Sequence, residues 1–407
     1  MTTAMDPALD VVPELEPEHA AMIRATLPLV GARIDEITPL FYRKMFTAHP
    51  ELIRDRFNRG NQAQGAQQRA LAASIATYAT HLVNPDLPHP RELLSRIGHK
   101  HASLGVTADE YAIVHEHLFA AIVEVLGAEA VTAEVAAAWD RVYWLMATTL
   151  IDFEQGLYRA AGVAAGDVFR WTRVVDRVED ASGVVTFVVE AEDPTRPLPD
   201  FRPGQYISVG ALLPDGARQL RQYSLVNAPG TGRLAFTVRR VAAERGTPEG
   251  EVSSWLHRHA AAGTRLEVTL PFGDLTLDTA ATTPVVLISA GVGVTPMVGM
   301  LEYLAATRST RRTVVLHCDR SAATHPLRDR VRALTADLRD ADYRTWYQAE
   351  GQTFDLAEVA LPADADYYLC GGTGFLQAVR AQLLAAGIPA GRVHFELFAP
   401  NDWLLDA

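Results

Sequence analysis

Three parts of this sequence carry residue types and spacings that can do chemistry. The first is Ala290-Gly291-Val292-Gly293-Val294-Thr295-Pro296, which follows the apolar run Val285–Ser289. Its glycines let a backbone approach a ligand closely, Thr295 can cap the next helix, and Pro296 suits that helix's first position. A helix start of this kind favours phosphate. The spacing is Gly-x-Gly-x-x-Pro and lacks the third glycine of the dinucleotide fingerprint, so alone it fits a plain tight turn equally well. A later turn, Cys370-Gly371-Gly372-Thr373-Gly374, ends another strand at the same carboxyl edge of a parallel sheet, where such sheets bind ligands.

The second part is Arg221-Gln222-Tyr223-Ser224, preceded by Arg202-Pro203-Gly204-Gln205-Tyr206. A guanidinium fork clamps a pyrophosphate, an aromatic ring stacks on a flat cofactor, and a hydroxyl hydrogen-bonds a ring nitrogen. Strand alternation puts Arg221 and Tyr223 on one face. An ordinary amphipathic strand shows the same alternation.

The third part is the histidines. Eight of the thirteen, His19, His49, His81, His89, His99, His101, His115 and His117, precede residue 120. Histidine is a common haem ligand, and exposed helix histidines are commoner still. At about 100° per residue His99 and His101 point in roughly opposite directions, as do His115 and His117, so one pocket cannot use both members of a pair. Spacing alone leaves the ligand open.

The elements that must position these groups follow from composition and period. A chain of 407 residues with 48% hydrophobic and 21% charged residues is long enough for two or three globular domains. A net charge of -12 without a Lys/Arg block argues against nucleic acid. Two cysteines, Cys318 and Cys370, exclude a disulfide scaffold and a four-thiolate metal or iron–sulfur site, and suit a reducing cytoplasm. Residues 1–18 read as an acidic tail without a signal peptide. The uncharged run 279–301 is broken by Pro284, Gly291, Gly293, Pro296 and Gly299, so it reads as strand, turn and helix instead of a membrane span.

Residues 19–160 show helical periodicity, as at Leu118, Ile122, Val125 and Leu126, and Thr107 with Glu110 has capping-box spacing. After the glycines at 162–166, short β-rich runs over 167–278 predict a small antiparallel barrel. From residue 284 to 407, apolar runs (Val285–Ser289, Val314–Cys318, Tyr367–Cys370) alternate with helical patterns, predicting a parallel α/β sheet.

These motifs, in this order, resemble the ferredoxin-NADP reductase superfamily, in which Arg-x-Tyr-Ser binds FAD while the Gly-x-Gly-x-x-Pro and Cys-Gly turns flank the nicotinamide nucleotide. With that reductase behind it, the helical domain resembles a globin, and the chain from about Ala20 to Pro400 is similar to the flavohaemoglobins, the nitric oxide dioxygenase family. Phe41-Tyr42, Phe57, Asn61-Gln62, Gln67, Lys100-His101, Tyr111, Trp139, Glu154 and Tyr158 fall in the family's order.

The resemblance implies an all-α globin, then an antiparallel β-barrel FAD domain, then an α/β NAD(P) domain, holding haem b, FAD and NAD(P)H. His101 becomes the iron ligand. Glu154 and Tyr111 would fix its tautomer and raise its electron donation, a role a solvated helix-end carboxylate would not have. Tyr42 and Gln67 would hydrogen-bond bound O2, with Phe57 and Leu71 walling the pocket. Tyr206, Arg221, Gln222, Tyr223, Ser224, and the turn Gly250, Val252 and Ser253 would hold FAD. Gly291, Val292, Gly293, Val294, Thr295, Pro296, Cys370 and Gly371 would hold the nucleotide.

In the C-terminal run Leu397, Phe398, Ala399 and Pro400 would meet the flavin, Phe398 covering its ring, while Lys100 and Glu396 would tune potentials. Asp319 and Arg320 give opposite hints on NADH against NADPH. The chain departs from the family in a longer 50–57 interval, an enlarged 242–250 hairpin, and Ala399 where glycine is common. The activity implied is oxidation of nitric oxide by O2 to nitrate in a self-sufficient cytoplasmic monomer. The same parts would serve a general haem and flavin reductase of ferric iron, quinones or peroxides, or a haem-based gas or redox sensor.

Overall fold

The computed structural model describes residues 9, 14–84, 86–87, 90–180, 182–244 and 247–398. The chain divides into two compact units, one with the helices up to Val168 together with Pro214–Leu220, the other with Phe169–Leu213 and Arg221–Phe398. The first unit contains α1 (Pro17–Ala32), α2 (Ile34–Ala48), α3 (Pro50–Asp55), α4 (Arg59–Ala63), α5 (Ala66–Val83), α6 (Arg91–Ala102), α7 (Glu110–Leu126) and α8 (Ala133–Ala160).

Helix starts follow local chemistry. Pro17 opens α1, because a residue without an amide proton loses nothing there, so the expected tail ends before Pro17 instead of at Glu18. The Asn58 side-chain Oδ1 accepts from the amides of Gly60 and Asn61 at 3.0 and 3.2 Å, starting α4. Only one arm of the capping box forms. Glu110 accepts from the Thr107 amide at 2.9 Å, while the Thr107 hydroxyl turns to Asp109.

Apolar stripes then set the packing. α2 lies on α5 and α7, and α6 and α1 lie on α8. Ile23, Phe41, Met45, Tyr78 and Leu94 are closed to solvent at their centre. Tyr42 on α2 is thereby brought to Gln67 on α5, and His101 on α6 to Glu154 on α8.

The second unit contains β1 (Phe169–Glu179), β2 (Val184–Ala191), β3 (Tyr206–Leu212), the part of β4 (Arg218–Ser224) from Arg221, β5 (Arg233–Arg239) and β6 (Arg265–Thr269); the sheet order is β4-β3-β6-β1-β2-β5. A bridge from Leu225 to Phe236 joins the two ends of that order and closes the barrel. The helix α9 (Glu251–His259) packs on β3 and β5.

A parallel sheet follows, ordered β11-β10-β7-β8-β9, from β7 (Val285–Ala290), β8 (Thr313–Asp319), β9 (Ala341–Tyr347), β10 (Asp366–Gly371) and β11 (Val393–Leu397). Its helices are α10 (Val294–Ala306), α11 (Arg328–Asp337) and α12 (Thr373–Ala385). The central strand β7 is apolar on both faces, as a covered parallel strand must be. Gly299 of α10 sits where a side chain would collide with the Leu225 carbonyl, so the helix reaches the barrel backbone.

The edge strand β9, Ala-Asp-Tyr-Arg-Thr-Trp-Tyr, has no apolar run and was not among the sequence expectations. Among the described residues no helix is long and apolar enough to cross a membrane.

Candidate haem, flavin and nucleotide sites

His101 stands in the last turn of α6. Its Nδ1 lies 2.8 Å from Glu154 Oε1 and 3.0 Å from the Tyr111 hydroxyl, and Tyr111 donates to the same Oε1 at 2.6 Å. Glu154 is only 2% exposed, so it is no solvated helix-end carboxylate. A buried carboxylate requires donors, and Tyr111 and the imidazole supply them. With Nδ1 committed as donor, Nε2 is the nitrogen left with a lone pair and no partner among the described residues. That is the donor a haem iron takes. Burial, with the Glu154 charge adding, pushes the Tyr111 hydroxyl far above its usual pKa, so it stays a proton donor.

The other histidines have other neighbours. The His99 ring meets Phe153 edge-on at 5.4 Å and is half-buried. His115 bonds Asp140 at 2.7 Å and stacks on Phe119, and His117 meets His49. His89 lies outside the described residues.

Tyr42 is 5% exposed within a shell of rings, Phe41, Phe46 and Phe57, at 4.6, 5.6 and 5.9 Å. Burial raises its pKa well above the ordinary value, with the carboxamides of Gln67 and Gln62 pulling the other way. Leu71 packs against the same core. Phe57 is held from behind by a residue that the sequence reading passed over. Gln219, 1% exposed in the Pro214–Leu220 segment of this unit, donates from Nε2 to the carbonyls of Ile53, Arg54 and Phe57 at 3.2, 3.0 and 3.2 Å. Flanked by Arg218 and Leu220, Gln219 left no clear signal in the sequence.

In the barrel, Tyr223 stacks on Phe236 at 5.5 Å, and the Arg221 guanidinium lies 3.8 Å from Glu251 at the start of α9. Gln222 donates to Ser208 at 2.7 Å, and Ser224 is buried. Tyr206 packs over Gly273, where a side chain would press on its ring. Gly250 precedes α9; the Ser253 hydroxyl accepts from the Val241 amide and donates to the Gly250 carbonyl, both at 3.2 Å, and Val252 is buried. The Arg221 guanidinium therefore stands beside the first turn of α9, against the Glu251 carboxylate that opens it.

The glycine turn after β7 differs from expectation in detail. Residues Gly291–Gly293 form a single 3-10 turn and α10 starts at Val294, so Thr295 is already helical and caps nothing. Its hydroxyl donates back to the Val292 carbonyl at 3.0 Å. Pro296 accordingly falls at the third helical position. Gly291 has a φ of 54°, which only glycine adopts freely. Gly293 is needed for packing: a side chain there would strike the Cys370 carbonyl, so the two turns interlock at the sheet edge. Gly371 ends β10 with the Phe375 ring against it.

Asp319 closes β8, its Oδ1 accepting from the Arg320 amide at 2.7 Å and the Thr324 hydroxyl at 2.6 Å. Glu396 and Leu397 lie on β11, and Phe398 is half exposed. Lys100 adjoins His101 on α6. Ala399 and Pro400 lie outside the described residues.

Comparison with known proteins agrees with both halves. The globin family profile matches residues 40–150, and the oxidoreductase NAD-binding domain profile matches residues 287–381. A flavohemoprotein of Bordetella parapertussis is 41% identical over 404 residues, covering 94% of this chain and 98% of that protein. One of Rhizobium meliloti is 39% identical over 398 residues, covering 93% and 97%.

The crystal structure of a flavohemoglobin from Malassezia yamatoensis with bound FAD and heme superposes with a TM-score of 0.86 at 35% identity, covering 95% of this chain and all of that one. The FAD/NAD-binding domain of nitric oxide dioxygenase from Vibrio cholerae matches 56% of this chain and 97% of its own, at 34% identity and a TM-score of 0.52. With a globin helical domain, an antiparallel barrel and a parallel nucleotide-binding sheet in one chain, and identity running through nearly all of it, this chain belongs to the flavohemoprotein family.

Proposed function

We propose that the protein is an NAD(P)H-dependent nitric oxide dioxygenase that oxidises NO with O2 to nitrate. The observation that carries this reading is the pairing of an anion-backed histidine, His101–Glu154–Tyr111, with a buried tyrosine, Tyr42, facing Gln67 in the same helical unit. When bound, FAD turns a two-electron hydride donor into a source of single electrons, and haem b supplies the iron at which O2 and NO combine.

The chain's own residues do the rest. His101 would hold the iron through Nε2, with Glu154 keeping the Nδ1 proton in place and making the ring a stronger donor. Tyr42 and Gln67 offer fixed donors where negative charge develops, and Phe57 and Leu71 exclude water around them. Arg221 and the start of α9 would take the flavin pyrophosphate, Tyr223 would offer its ring to the flavin, and the interlocked turns at Gly291–Gly293 and Cys370–Gly371 would hold the nicotinamide nucleotide.

Balance requires one electron for each NO and O2 that become nitrate, so each nucleotide serves two turnovers. The test is NO consumption by haem- and FAD-replete protein. Rapid removal that needs both O2 and reduced nicotinamide, with nitrate as the product, is expected. NO removal indifferent to O2, or slower than reduction of ferric iron, quinone or peroxide, rejects the assignment.

A further inference from the structure

The two helices that Gln219 touches, α3 with six residues and α4 with five, are too short to hold their shape alone. At the end of α3 the amides of Arg56 and Phe57 both turn back to the Leu52 carbonyl, at 2.8 and 2.9 Å, which leaves the Ile53 and Arg54 carbonyls as open helix-end acceptors. Gln219 Nε2 donates to those two and to the Phe57 carbonyl. Its Oε1 accepts from the Arg59 amide at 3.3 Å, the first of α4, while Asn58 takes the next two. One buried carboxamide thus satisfies the end of one helix and the start of the next, using both its donor and its acceptor, and encloses the linker Arg56-Phe57-Asn58 between them.

That linker reaches in two directions. The Phe57 ring meets Tyr42 and Phe46 edge-on, at 5.9 and 5.2 Å between ring centres. The Arg56 guanidinium donates to the Leu104 carbonyl and lies 3.8 Å from Glu110, and the Leu104 amide in turn bonds the His101 carbonyl at 2.9 Å. The Pro214–Leu220 segment also meets this region through an exposed ion pair, Arg59 with Asp215 at 2.6 Å, and through the Arg218 amide on Asp55 Oδ1 at 3.2 Å. An exposed pair contributes little, whereas removing the one group that serves several buried backbone atoms leaves them all unsatisfied. The carboxamide therefore outweighs the ion pair in deciding where the linker lies.

We infer that Gln219 is a positioning residue for the haem pocket: it fixes the linker and, through the linker, holds the Phe57 ring against Tyr42. The inference rests on the haem-pocket reading and adds to it a residue from outside the helical sequence, on β4, the strand that goes on to Arg221-Gln222-Tyr223-Ser224.

The test uses ferrous holoprotein with full haem and flavin absorbance, and reads the O2 dissociation rate and the C–O stretching band of the carbon monoxide complex. Gln219→Met fills a similar space without the hydrogen bonds. It is expected to speed O2 release roughly three- to tenfold, the scale of one net hydrogen bond, and to shift or broaden the C–O band. Gln219→Asn keeps the carboxamide but falls one carbon short, so it should move both readouts the same way by less, and it carries the test if the methionine variant takes up no haem. Asp215→Ala, which breaks only the exposed ion pair, should match wild type. In a Phe57→Leu background Gln219→Met should add little, because the two act through one ring. Wild-type values in the Gln219 variant that folds, an equal effect from Asp215→Ala, or an effect undiminished in the Phe57→Leu background overturns the inference alone. A silent Tyr42→Phe overturns the haem-pocket reading and the inference with it.

Discussion

His101 and Glu154 are 53 positions apart in the chain and meet at 2.8 Å between Nδ1 and Oε1. The contact depends on α6 lying along α8, and on Glu154 falling in the same stripe as Ala147, Leu150 and Tyr158, all buried. That stripe follows helical spacing, so a carboxylate within it must find donors inside the protein.

Glu154→Gln keeps the size of the side chain and removes its charge. Haem affinity or turnover should fall roughly 10- to 100-fold. The iron–histidine stretching frequency of the ferrous protein should fall as well, because the ring becomes a weaker donor. An unchanged frequency would remove Glu154 from the proximal role.

Tyr42→Phe keeps the ring contacts with Phe41, Phe46 and Phe57 and deletes one hydroxyl. Haem and flavin content should stay at wild-type levels while O2 release accelerates about tenfold or more and NO turnover is lost. Stopped-flow displacement of O2 by carbon monoxide measures the first effect directly, and a wild-type rate would count against any distal role.

How much of this could be read in the residues depends on which signal each one leaves. The three-domain order was readable because β7 is apolar apart from Ser289 and the helical half keeps its period over long stretches. The edge strand β9 was not, since Asp342, Arg344 and Thr345 on it look like a polar loop. Glu154 was undecided as a single residue and would have been decided by its register with Ala147, Leu150 and Tyr158. Thr295 misled because threonine before proline looks like a cap, whereas the turn begins earlier, at the positive φ of Gly291. Gln219 acts through contacts with the backbone of Ile53, Arg54 and Phe57, far away in sequence, and no periodicity encodes those.

Gly293→Ala places a methyl group against the backbone of Cys370 and Gly371, with Gly371 N only 2.8 Å away. Backbone cannot step aside as a flexible side chain does, so the variant should lose about 1–3 kcal/mol of stability and oxidise NADH poorly. Gly374→Ala is the control. Nothing lies within 4 Å of its added carbon, and a helical alanine should be neutral or slightly stabilising. Equal unfolding temperatures for the two variants would mean that the turns do not interlock.

The rings of His317 and His325 stack at 3.7 Å in the nucleotide-binding half, 0% and 1% exposed. His325 meets the hydroxyls of Tyr347 and Tyr343 at 3.1 and 3.3 Å, and His317 meets Ser289 at 2.8 Å with Asp319 at 3.6 Å. Burial pushes His325 down to about 3, the neighbouring His317 adding to the shift and Asp319 opposing it; burial also lowers His317. The His325 ring is therefore neutral in the folded protein near pH 5 and His317 is harder to protonate than a free imidazole, while in the unfolded chain both protonate below about 6.5. The unfolded state then binds more protons, so stability falls as pH drops from about 6.5 toward 3. For His325 alone the loss between pH 7 and 5 is up to about 2 kcal/mol. Calorimetry of the full chain across that range should show the nucleotide-binding half melting progressively earlier, and His325→Asn should flatten the slope. A slope identical in the variant would show that this ring does not titrate between the two states.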